Sequence, residues 1–515
     1  MIEAMGESRI EPAAGIRVFA GFAAMCLGMF MAILDVQIVA TSLPVIQGAL
    51  NISPDQMSWI QTAYLIAEVV AIPLTGVLMR MLGLRLLFVI GVSIFTAASV
   101  MCAASTAFGE LLAWRVVQGV SGGTLIPAVF AAVFLLFPFR QQGLATTLAG
   151  VTAVLAPTVG PIIGGWITQT YSWHWLFLIN LVPGILAALG GALLLRRDRA
   201  DFRVLREFDF LALILLASGL AALQIALKEG PQRGWTSVPV GGLLAWAILA
   251  GTLLARRLGA ASKPLIDLKL FADRNFAIGS ALSFALGVGL FGSVYLMPVF
   301  LAYVRGHNAL EIGTVMLVTG AAQLATAPIA VTLERRIDAR LLSAFGFALF
   351  GLGLAMSAFQ NVETDFHAML WPQIVRGSAI MFCILPPTRL ALGFLSADKV
   401  ADGSGLFNLM RNLGGAIGLA LIDTIIYGQA PGAGAAILAK LEAGDAATAL
   451  AIGIPADLIA LGPSALAEPG AREMLAPLIE KAALAQTINL AWAVVAAISL
   501  CALLLLPLAR REIPR

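Results

Sequence analysis

Charged residues are scarce in this sequence of 515 residues. Asp, Glu, Lys and Arg together make up 12% of the chain and hydrophobic residues 60%, whereas soluble domains carry about 25% charged residues. The mean hydropathy is +0.94. This composition excludes a water-soluble fold. The net charge of +3 is dispersed in short basic clusters, which excludes a nucleic-acid-binding surface.

Cysteine and histidine are also few. The four cysteines lie far apart without CxxC or Cys/His ligand spacing, so we expect small core residues at Cys26, Cys102, Cys383 and Cys501. The three histidines fall near the predicted outer ends of spans, at His174, His307 and His367. HExxH, Walker A, GxSxG and Rossmann fingerprints are missing. The sequence therefore predicts no metal, no cofactor and no catalytic residue, and the protein is not expected to be an enzyme.

Long apolar runs, in contrast, are abundant. About 20 apolar residues span a bilayer as a helix, because a helix satisfies its own backbone hydrogen bonds. We predict an all-α polytopic membrane protein with 14 transmembrane helices, which begin near residues 18, 57, 84, 108, 143, 173, 210, 238, 275, 312, 342, 370, 405 and 484. The first run, from Val18 to Leu43, is too long for a signal peptide and contains Asp35, so we expect it to remain as the first span.

The distribution of basic residues predicts the orientation of the chain. An even number of spans puts both termini on one side, and cytoplasmic loops retain Lys and Arg. Of the 32 Lys and Arg residues, 22 fall on the side of the termini and 6 on the opposite side. Both termini are therefore predicted to be cytoplasmic.

An internal repeat at an offset of 255 residues predicts two related helical bundles. The segment from Pro73 to Leu87 aligns with the segment from Pro328 to Leu342, and Pro, Leu, two Arg and the closing Leu pair recur at equal spacing. We predict a six-helix bundle over residues 1–200, basic linkers and a central two-helix hairpin over residues 201–269, and a second six-helix bundle over residues 270–515. Transporters built from two such bundles bind their substrate between them.

A long outer connection, residues 430–483, follows the thirteenth predicted span. It is rich in Ala, Gly and Pro, but Gly434 to Ala451 and Arg472 to Thr487 keep helical apolar periodicity. Two interpretations stay open: a cap packed on the outer mouth of the protein, and a docking surface for a periplasmic partner.

Ionisable residues inside predicted spans are the strongest functional candidates, because a charge in hydrocarbon costs about 3 kcal/mol or more unless it meets a cavity or a partner. Asp35 lies in the first span, and Glu68 lies in the second on one face with Gln61 and Tyr64. Burial can poise such carboxyls to load and release protons. The alternative is a neutral carboxyl that only fixes packing.

Arg115 opens the segment Arg115-Val-Val-Gln-Gly-Val-Ser-Gly-Gly123 in the fourth span, where Gly119 and Gly122 share its face. The glycines allow close helix approach while the guanidinium faces a cavity. The segment predicts either coupling to a protonatable carboxylate or a static counter-ion. Further polar side chains in the spans are candidates for lining the substrate cavity: Gln37, Gln61, Tyr64, Gln118, Gln323, Asn408 and Asp423.

The segment from Leu155 to Gly165 places two prolines and three glycines in one predicted membrane helix. Such a helix bends and packs closely against its neighbour. The residues concerned are Pro157, Gly160, Pro161, Gly164 and Gly165.

Taken together, these segments resemble the major facilitator superfamily, and within it the fourteen-span drug:proton antiporters of the EmrB/QacA type. Leu34 to Pro44 is similar to the first-span motif, although Gln37 and Ala40 replace the usual Thr and Asn. Gly76 to Arg85 is similar to the loop motif between spans two and three, but Arg80 stands where the motif has an acid. Arg115-Val-Val-Gln-Gly resembles the fourth-span motif, and Gly160-Pro-Ile-Ile-Gly-Gly165 resembles the fifth-span antiporter signature. Trp173 to Gly184 and Asn408 to Gly415 are also typical of this group.

The resemblance implies the major facilitator fold and export of lipophilic drugs or toxic compounds across the bacterial inner membrane. Proton entry would drive the export by alternating access, with Asp35, Glu68 and Arg115 as the proton-coupling set and the residues from Pro157 to Gly165 as the antiporter motif. A periplasmic membrane-fusion adaptor and an outer-membrane channel would be possible partners. A dedicated exporter of one endogenous product, such as a siderophore, fatty acid or secondary metabolite, is the alternative, and a membrane-embedded enzyme or a sensor is a remote one.

Overall fold

The computed structural model describes residues 14–52, 54–198, 200–203, 208–261, 264–334, 336–454 and 469–510. Within these ranges the regular structure is helical throughout. The helices are α1 Ile16–Leu50, α2 Pro54–Ala71, α3 Thr75–Ala104, α4 Phe108–Leu136, α5 Phe139–Thr170, α6 Trp175–Leu178, α7 Leu181–Leu194, α8 Phe210–Arg233, α9 Val238–Ala260, α10 Arg274–Val299, α11 Ala309–Glu334, α12 Ala339–Met356, α13 Phe366–Leu392, α14 Ala397–Glu442, α15 Ala446–Ala451 and α16 Pro469–Cys501.

Aspartate side chains fix where several of these helices begin. The carboxylates of Asp209, Asp273 and Asp338 accept hydrogen bonds from the first backbone N–H groups of α8, α10 and α12, at 2.9 to 3.0 Å. An N-terminal Asp satisfies a free backbone donor and complements the helix dipole. Asp445 caps α15 in the same way. The Thr448 hydroxyl donates a hydrogen bond to the Asp445 carboxylate, which holds the pKa of that carboxyl below its usual range.

By length and apolarity, the described residues contain 12 helices that could cross a membrane, or up to 13 if a bent pair in α5 is one span. The predicted count of 14 is therefore not confirmed. Part of the difference lies in the segment Trp59–Ala104, whose 46 residues are counted as one span although two were predicted there. That segment is broken at Gly83, where φ is 76°, so it is not one continuous helix. A positive φ of this kind favours glycine, because a Cβ would be strained there.

Two groups of helices pack mainly among themselves. In the first half, α1 packs against α5 and α7, and α4 packs against α2 and α3. In the second half, α14 packs against both α10 and α16. Helices α11 and α12 both pack against α13. The division of the chain at residues 200 and 269 stays a prediction.

The central hairpin of α8 and α9 lies at the side of both groups. Helix α8 contacts α2 and α14, and the indole Nε1 of Trp235, in the turn of the hairpin, donates to Thr424 Oγ1 at 3.0 Å. Helix α9 packs mainly on α8, and only 11% of the residues in its most apolar stretch are buried. The hairpin therefore lies beside the two groups, and Ala212, Leu216 and Leu258 join it to them in one apolar cluster.

The two groups meet along α5 and α11, and they also meet on the side of the membrane where the described chain begins and ends, which we call the terminal side. Ala14 and Ala509 lie there, bonded to Gln141 and Arg340. Near this side, the Ser404 hydroxyl donates to the Pro127 carbonyl oxygen across the two groups at 2.7 Å. Helix α14 also packs on α3 and α4, and α13 packs on α5. The two groups are therefore closed against each other on the terminal side.

The long outer connection over residues 430–483 is mostly helical in its described part. Helix α14 continues as one helix to Glu442, α15 follows, and α16 begins at Pro469. This confirms the helical periodicity predicted there, and residues 455–468 lie outside the described part of the chain. The helices enclose a small apolar cluster of their own, made by Ile437, Leu441, Ala449, Ile452, Ile454, Leu475, Ala482 and Ala483. The outer helices therefore have an apolar cluster of their own.

Candidate functional site

A buried ion pair joins α1 and α4. The Arg115 Nη1 donates to Asp35 Oδ2 at 2.5 Å, and both side chains are 0% exposed. The second carboxylate oxygen of Asp35 accepts from Gln118 Nε2 at 3.0 Å and from Asn180 Nδ2 at 2.8 Å. Both amides also donate to Ser99 Oγ. Asp35 is therefore held by three donors from two other helical segments.

The Arg115 guanidinium has partners besides Asp35, although its Nη2 has no acceptor among the described residues. Its Nε donates to the Ile60 carbonyl oxygen at 3.1 Å, and Nη1 also donates to Gln118 Oε1 at 2.6 Å. The guanidinium carbon lies 4.4 Å from the centre of the Tyr64 ring. Removing one partner from a buried pair typically costs about 3–5 kcal/mol, because the other charge is left uncompensated. The charge state of Asp35 is therefore tightly linked to the arrangement of α1, α2 and α4.

Glycines on α4 permit this close arrangement. A Cβ at Gly122 would lie 2.5 Å from Tyr64 Oη, and one at Gly123 would lie 2.5 Å from the Glu68 carbonyl oxygen. Both distances are too short for a real side chain, so α2 can approach α4 only because these positions are glycine. The Tyr64 hydroxyl donates to the Ala32 carbonyl oxygen on α1 at 3.1 Å. Tyr64 thereby links α1 and α2 beside the ion pair.

Glu68 lies one helical turn after Tyr64 and is 5% exposed. Its backbone packs against Gly123 of α4. In the described part of the chain, no hydrogen bond joins its side chain to Asp35 or Arg115. The structure brings Asp35 and Arg115 into contact. Glu68 lies on α2, one turn beyond the Tyr64 ring that contacts Arg115.

The remaining candidates for the substrate cavity do not form one cluster. Half-buried Gln37 packs against α5, and half-buried Gln61 lies on α2. Gln323 donates to Met381 Sδ at 3.3 Å, and Asn408 donates to the Ser404 carbonyl oxygen at 2.9 Å.

Asp423 accepts from the Tyr295 hydroxyl at 2.7 Å, between α14 and α10. It is therefore an acid of the second half of the chain, held by a tyrosine. Its predicted role stays a prediction.

The prediction of a bent helix at the fifth-span motif agrees with the structure. The segments Phe139–Pro157 and Ile162–Thr170 meet at 44°. Gly160, Gly164 and Gly165 are buried, Pro157 is half-buried, and the side chain of Pro161 lies outside the described residues. A Cβ at Gly160 would lie 2.5 Å from Gln37 Cβ on α1. The motif therefore brings α5 against α1 two residues beyond Asp35.

Sequence reasoning missed two residues with a clear structural role. Asn180 binds Asp35, and its signal was present as an isolated amide in the apolar segment from Trp173 to Gly184. Asp402 accepts a hydrogen bond from Arg80 Nη1 across the two halves of the chain. Arg80 stands where the loop motif usually has an acid. In this protein the acid of the ion pair is instead Asp402, on α14. The partner could not be found without knowing that α14 passes beside this loop.

Comparisons with known proteins agree with this arrangement. Residues 25–419 match the Major Facilitator Superfamily. The colistin resistance protein EmrB of Acinetobacter baumannii is 39% identical over 406 residues, which cover 78% of this chain and 79% of the relative. The multidrug export protein EmrB of Escherichia coli K12 is 32% identical over 418 residues, which cover 81% of each chain.

The structure of the human organic anion transporter MFSD10 superposes with a TM-score of 0.61 at 14% identity, covering 95% of this chain and 99% of that one. At this identity the match shows the fold alone. The chain belongs to the major facilitator superfamily, and its relatives are of the EmrB type.

Proposed function

We propose that this protein exports lipophilic drugs or toxic compounds across the bacterial inner membrane in exchange for protons. The buried Asp35–Arg115 pair carries the proposal, because a membrane carboxylate in contact with a guanidinium is a protonatable pair inside hydrocarbon. The names of the two EmrB relatives, one a colistin resistance protein and one a multidrug export protein, support export of toxic compounds. Asp35, Glu68 and Arg115 are the proposed proton-coupling set.

Protonation of Asp35 is the proposed switch. While Asp35 is ionised, three donors hold it in place between α1, α4 and the segment that contains Asn180. A proton on the carboxyl removes its charge and leaves the Arg115 guanidinium without a counter-ion, which favours a different arrangement of these helices. One charge that moves down the membrane potential supplies about 2.3 kcal/mol per 100 mV. This is enough for useful accumulation when one or more protons enter per cycle.

Closure on the terminal side supports alternating access between the two halves. Contacts across the halves include Ser404 to Pro127, Arg80 to Asp402 and the Arg411 guanidinium, which lies 5.1 Å from the centre of the Phe130 ring. We propose that this side is cytoplasmic and that the structure represents the state closed to the cytoplasm. The substrate would then leave between the halves toward the periplasm.

Transport measurements in proteoliposomes test this proposal. With an imposed pH gradient, several unrelated lipophilic cations and weak acids should move against their own gradients, and this movement should stop when the pH gradient is collapsed. If compounds move only down their gradients, proton coupling is excluded. Movement of one compound alone would favour a dedicated exporter.

The helical outer segment is the proposed docking surface for a periplasmic adaptor. Leu450 on α15 is 62% exposed, while its neighbour Ala449 is 2% exposed and belongs to the outer apolar cluster. We expect Leu450→Asp to leave transport in vesicles unchanged and to lower drug resistance in cells, because it puts a charge on the exposed face only. Deletion of residues 435–478 should have the same effect on a larger scale.

Ala449→Asp is the matched control, because it puts the same charge into the buried cluster and should reduce the amount of folded protein. Equal losses in vesicles and in cells for Leu450→Asp would favour a cap instead of a docking surface. Both measurements should be normalised to the amount of protein in the membrane.

A further inference from the structure

The second half of the chain contains a buried guanidinium without a carboxylate partner among the described residues. Arg376 on α13 is 3% exposed and takes part in no ion pair found among the described residues. Its Nη2 donates to Thr319 Oγ1 on α11 at 3.2 Å, whereas its Nε and Nη1 have no acceptor. A guanidinium stays charged in a protein, so a buried one without a counter-ion is unfavourable.

Helix packing shows that Arg376 belongs to a repeat of the Arg115 segment. A Cβ at Gly119 would collide with the carbonyl oxygen of Tyr64 and lie 3.0 Å from Ala67 Cβ. A Cβ at Gly377 would collide with the carbonyl oxygen of Thr319 and lie 3.0 Å from the Cβ of Ala322. Tyr64 and Ala67 precede Thr319 and Ala322 by the same 255 residues as the sequence repeat. Gly119 and Gly377 are therefore equivalent positions in the two halves.

With the glycines aligned, the segment Arg115-Val-Val-Gln-Gly119 corresponds to Gln373-Ile-Val-Arg-Gly377. The arginine and the glutamine have exchanged places. Gln373 Oε1 lies 3.1 Å from Thr319 Oγ1, and Thr319 corresponds to Tyr64. The second half therefore keeps both polar side chains on the same stretch of helix.

The acid of the first half is not repeated. Helix α10, the counterpart of α1, has no Asp or Glu between Arg274 and Val299, and α12 and α13 have none either. The acids of α11, Glu311 and Glu334, lie in its first and last turns. At 1.5 Å per residue, these are about 12 and 22 Å along the helix from Thr319. No carboxylate of these helices therefore replaces Asp35.

Several buried donors near Arg376 have no acceptor. Besides Nε and Nη1 of Arg376, they are Nε2 of Gln373 and Nε1 of Trp492, and both of these side chains are 0% exposed. The Arg376 guanidinium carbon lies 5.4 Å from the centre of a Trp492 ring. Buried polar groups in proteins are nearly always hydrogen-bonded, so donors without acceptors in one place indicate a missing acceptor. A positive charge beside them makes an anion the complementary ligand.

We propose that Arg376, Gln373 and Trp492 form an anion site that receives the carboxylate of a lipophilic weak acid exported by the protein. This assignment rests on the proposed export function and names one of its substrate classes. The ligand supplies the negative charge that Asp35 supplies in the first half. Thr319 is half-buried and bonded to both Arg376 and Gln373, so it marks the more accessible edge of the site. An inorganic anion such as chloride has the same charge and is the competing occupant.

Ligand-dependent thermal unfolding of the detergent-purified full chain tests the site without any transport. In chloride-free buffer, octanoate should raise the Tm of the unaltered protein, and octanamide of the same chain length should not. Arg376→Gln should weaken the octanoate effect at least about tenfold in concentration, because a charged hydrogen-bond partner is lost. Arg376→Lys keeps the charge and should retain part of the effect.

Thr319→Asp provides a second variant, with Thr319→Asn as its matched control. The new carboxylate would lie beside the Arg376 guanidinium and act as an internal counter-ion, so octanoate should no longer raise the Tm. The Asn variant should still respond. This pair keeps the test valid if Arg376→Gln does not fold.

Equal stabilisation by octanoate and octanamide, or an unchanged octanoate response in Arg376→Gln and Thr319→Asp, would overturn the site. Stabilisation by chloride without any effect of octanoate would overturn its assignment to a transported carboxylate. Failure of the proposed function is a separate result, seen as the absence of pH-driven movement of any compound in proteoliposomes. A wild-type protein that moves lipophilic cations but shows no octanoate response would reject this site alone.

Discussion

In proteoliposomes with an imposed pH gradient, the Asp35→Asn protein is expected to accumulate no compound against its gradient. The asparagine can still accept a hydrogen bond from Arg115, but it cannot gain or lose a proton. Arg115 then remains without a counter-ion in both phases of the cycle, so the two arrangements of α1 and α4 no longer differ in charge. Uphill export should fall to the level of protein-free vesicles. Downhill exchange of substrate should persist, because the path between the halves is unchanged.

Two companion variants make the Asp35→Asn result specific. Glu363→Gln removes an exposed carboxyl between α12 and α13 and should export normally. Glu68→Gln removes the other buried acid of the first half and should lose uphill export if Glu68 belongs to the coupling set. Normal uphill export in the Asp35 or the Glu68 variant would remove that residue from the set. The amount of each protein in the vesicles must be equal.

The second large effect is expected at the ion pair between Arg80 and Asp402. Asp402 is 8% exposed and Arg80 34% exposed, and they join the two halves on the terminal side. Arg80→Asp, or separately Asp402→Arg, would put two like charges at this contact. Breaking a buried pair costs about 3–5 kcal/mol, and the exposure of Arg80 lowers this toward surface values. Since about 1.4 kcal/mol is a tenfold change in an equilibrium, we expect each single reversal to reduce the closed state at least about tenfold.

Combining the two reversals should restore the closed state, because the pair is rebuilt with its charges exchanged. Ser404 is a suitable reporter, since it is buried at this contact and bonded to Pro127. In a Ser404→Cys background in which the exposed Cys501 is replaced by Ser, labelling by an impermeant maleimide from the terminal side should be fast in the single variants. It should be slow in the double variant. Fast labelling in the double variant would show that the charges do not hold this contact together.

How much of the structure the sequence could predict depends on the range of the interaction. Apolar run length and the motif spacing predicted membrane helices, the bend in α5 and the position of Asp35 and Arg115 inside spans. Each of these depends on residues close together in the sequence. The pairing of Arg80 with Asp402 spans 322 residues, and periodicity does not reveal which helices are neighbours.

Two further differences have physical causes. Periodicity predicted helices in the outer segment, but the apolar cluster that Ile437, Leu441 and Leu475 form joins residues far apart in the sequence and could not be read from it. The exchange of arginine and glutamine between the two halves was hidden because the repeat offset changes from 255 to 258 residues between α11 and α13. Only the packing of Gly119 and Gly377 fixes the alignment there.

The weak attachment of α9 also bears on the lipid environment. Its 23 residues make a helix about 34 Å long at 1.5 Å per residue, somewhat more than the roughly 30 Å of an average hydrocarbon layer. A helix longer than the layer accommodates by tilting, and α9, which packs mainly on α8, can tilt with little disturbance of the two groups. Changes in bilayer thickness should therefore be absorbed first by this hairpin helix, while the helices that carry Asp35 and Arg115 keep their positions relative to each other.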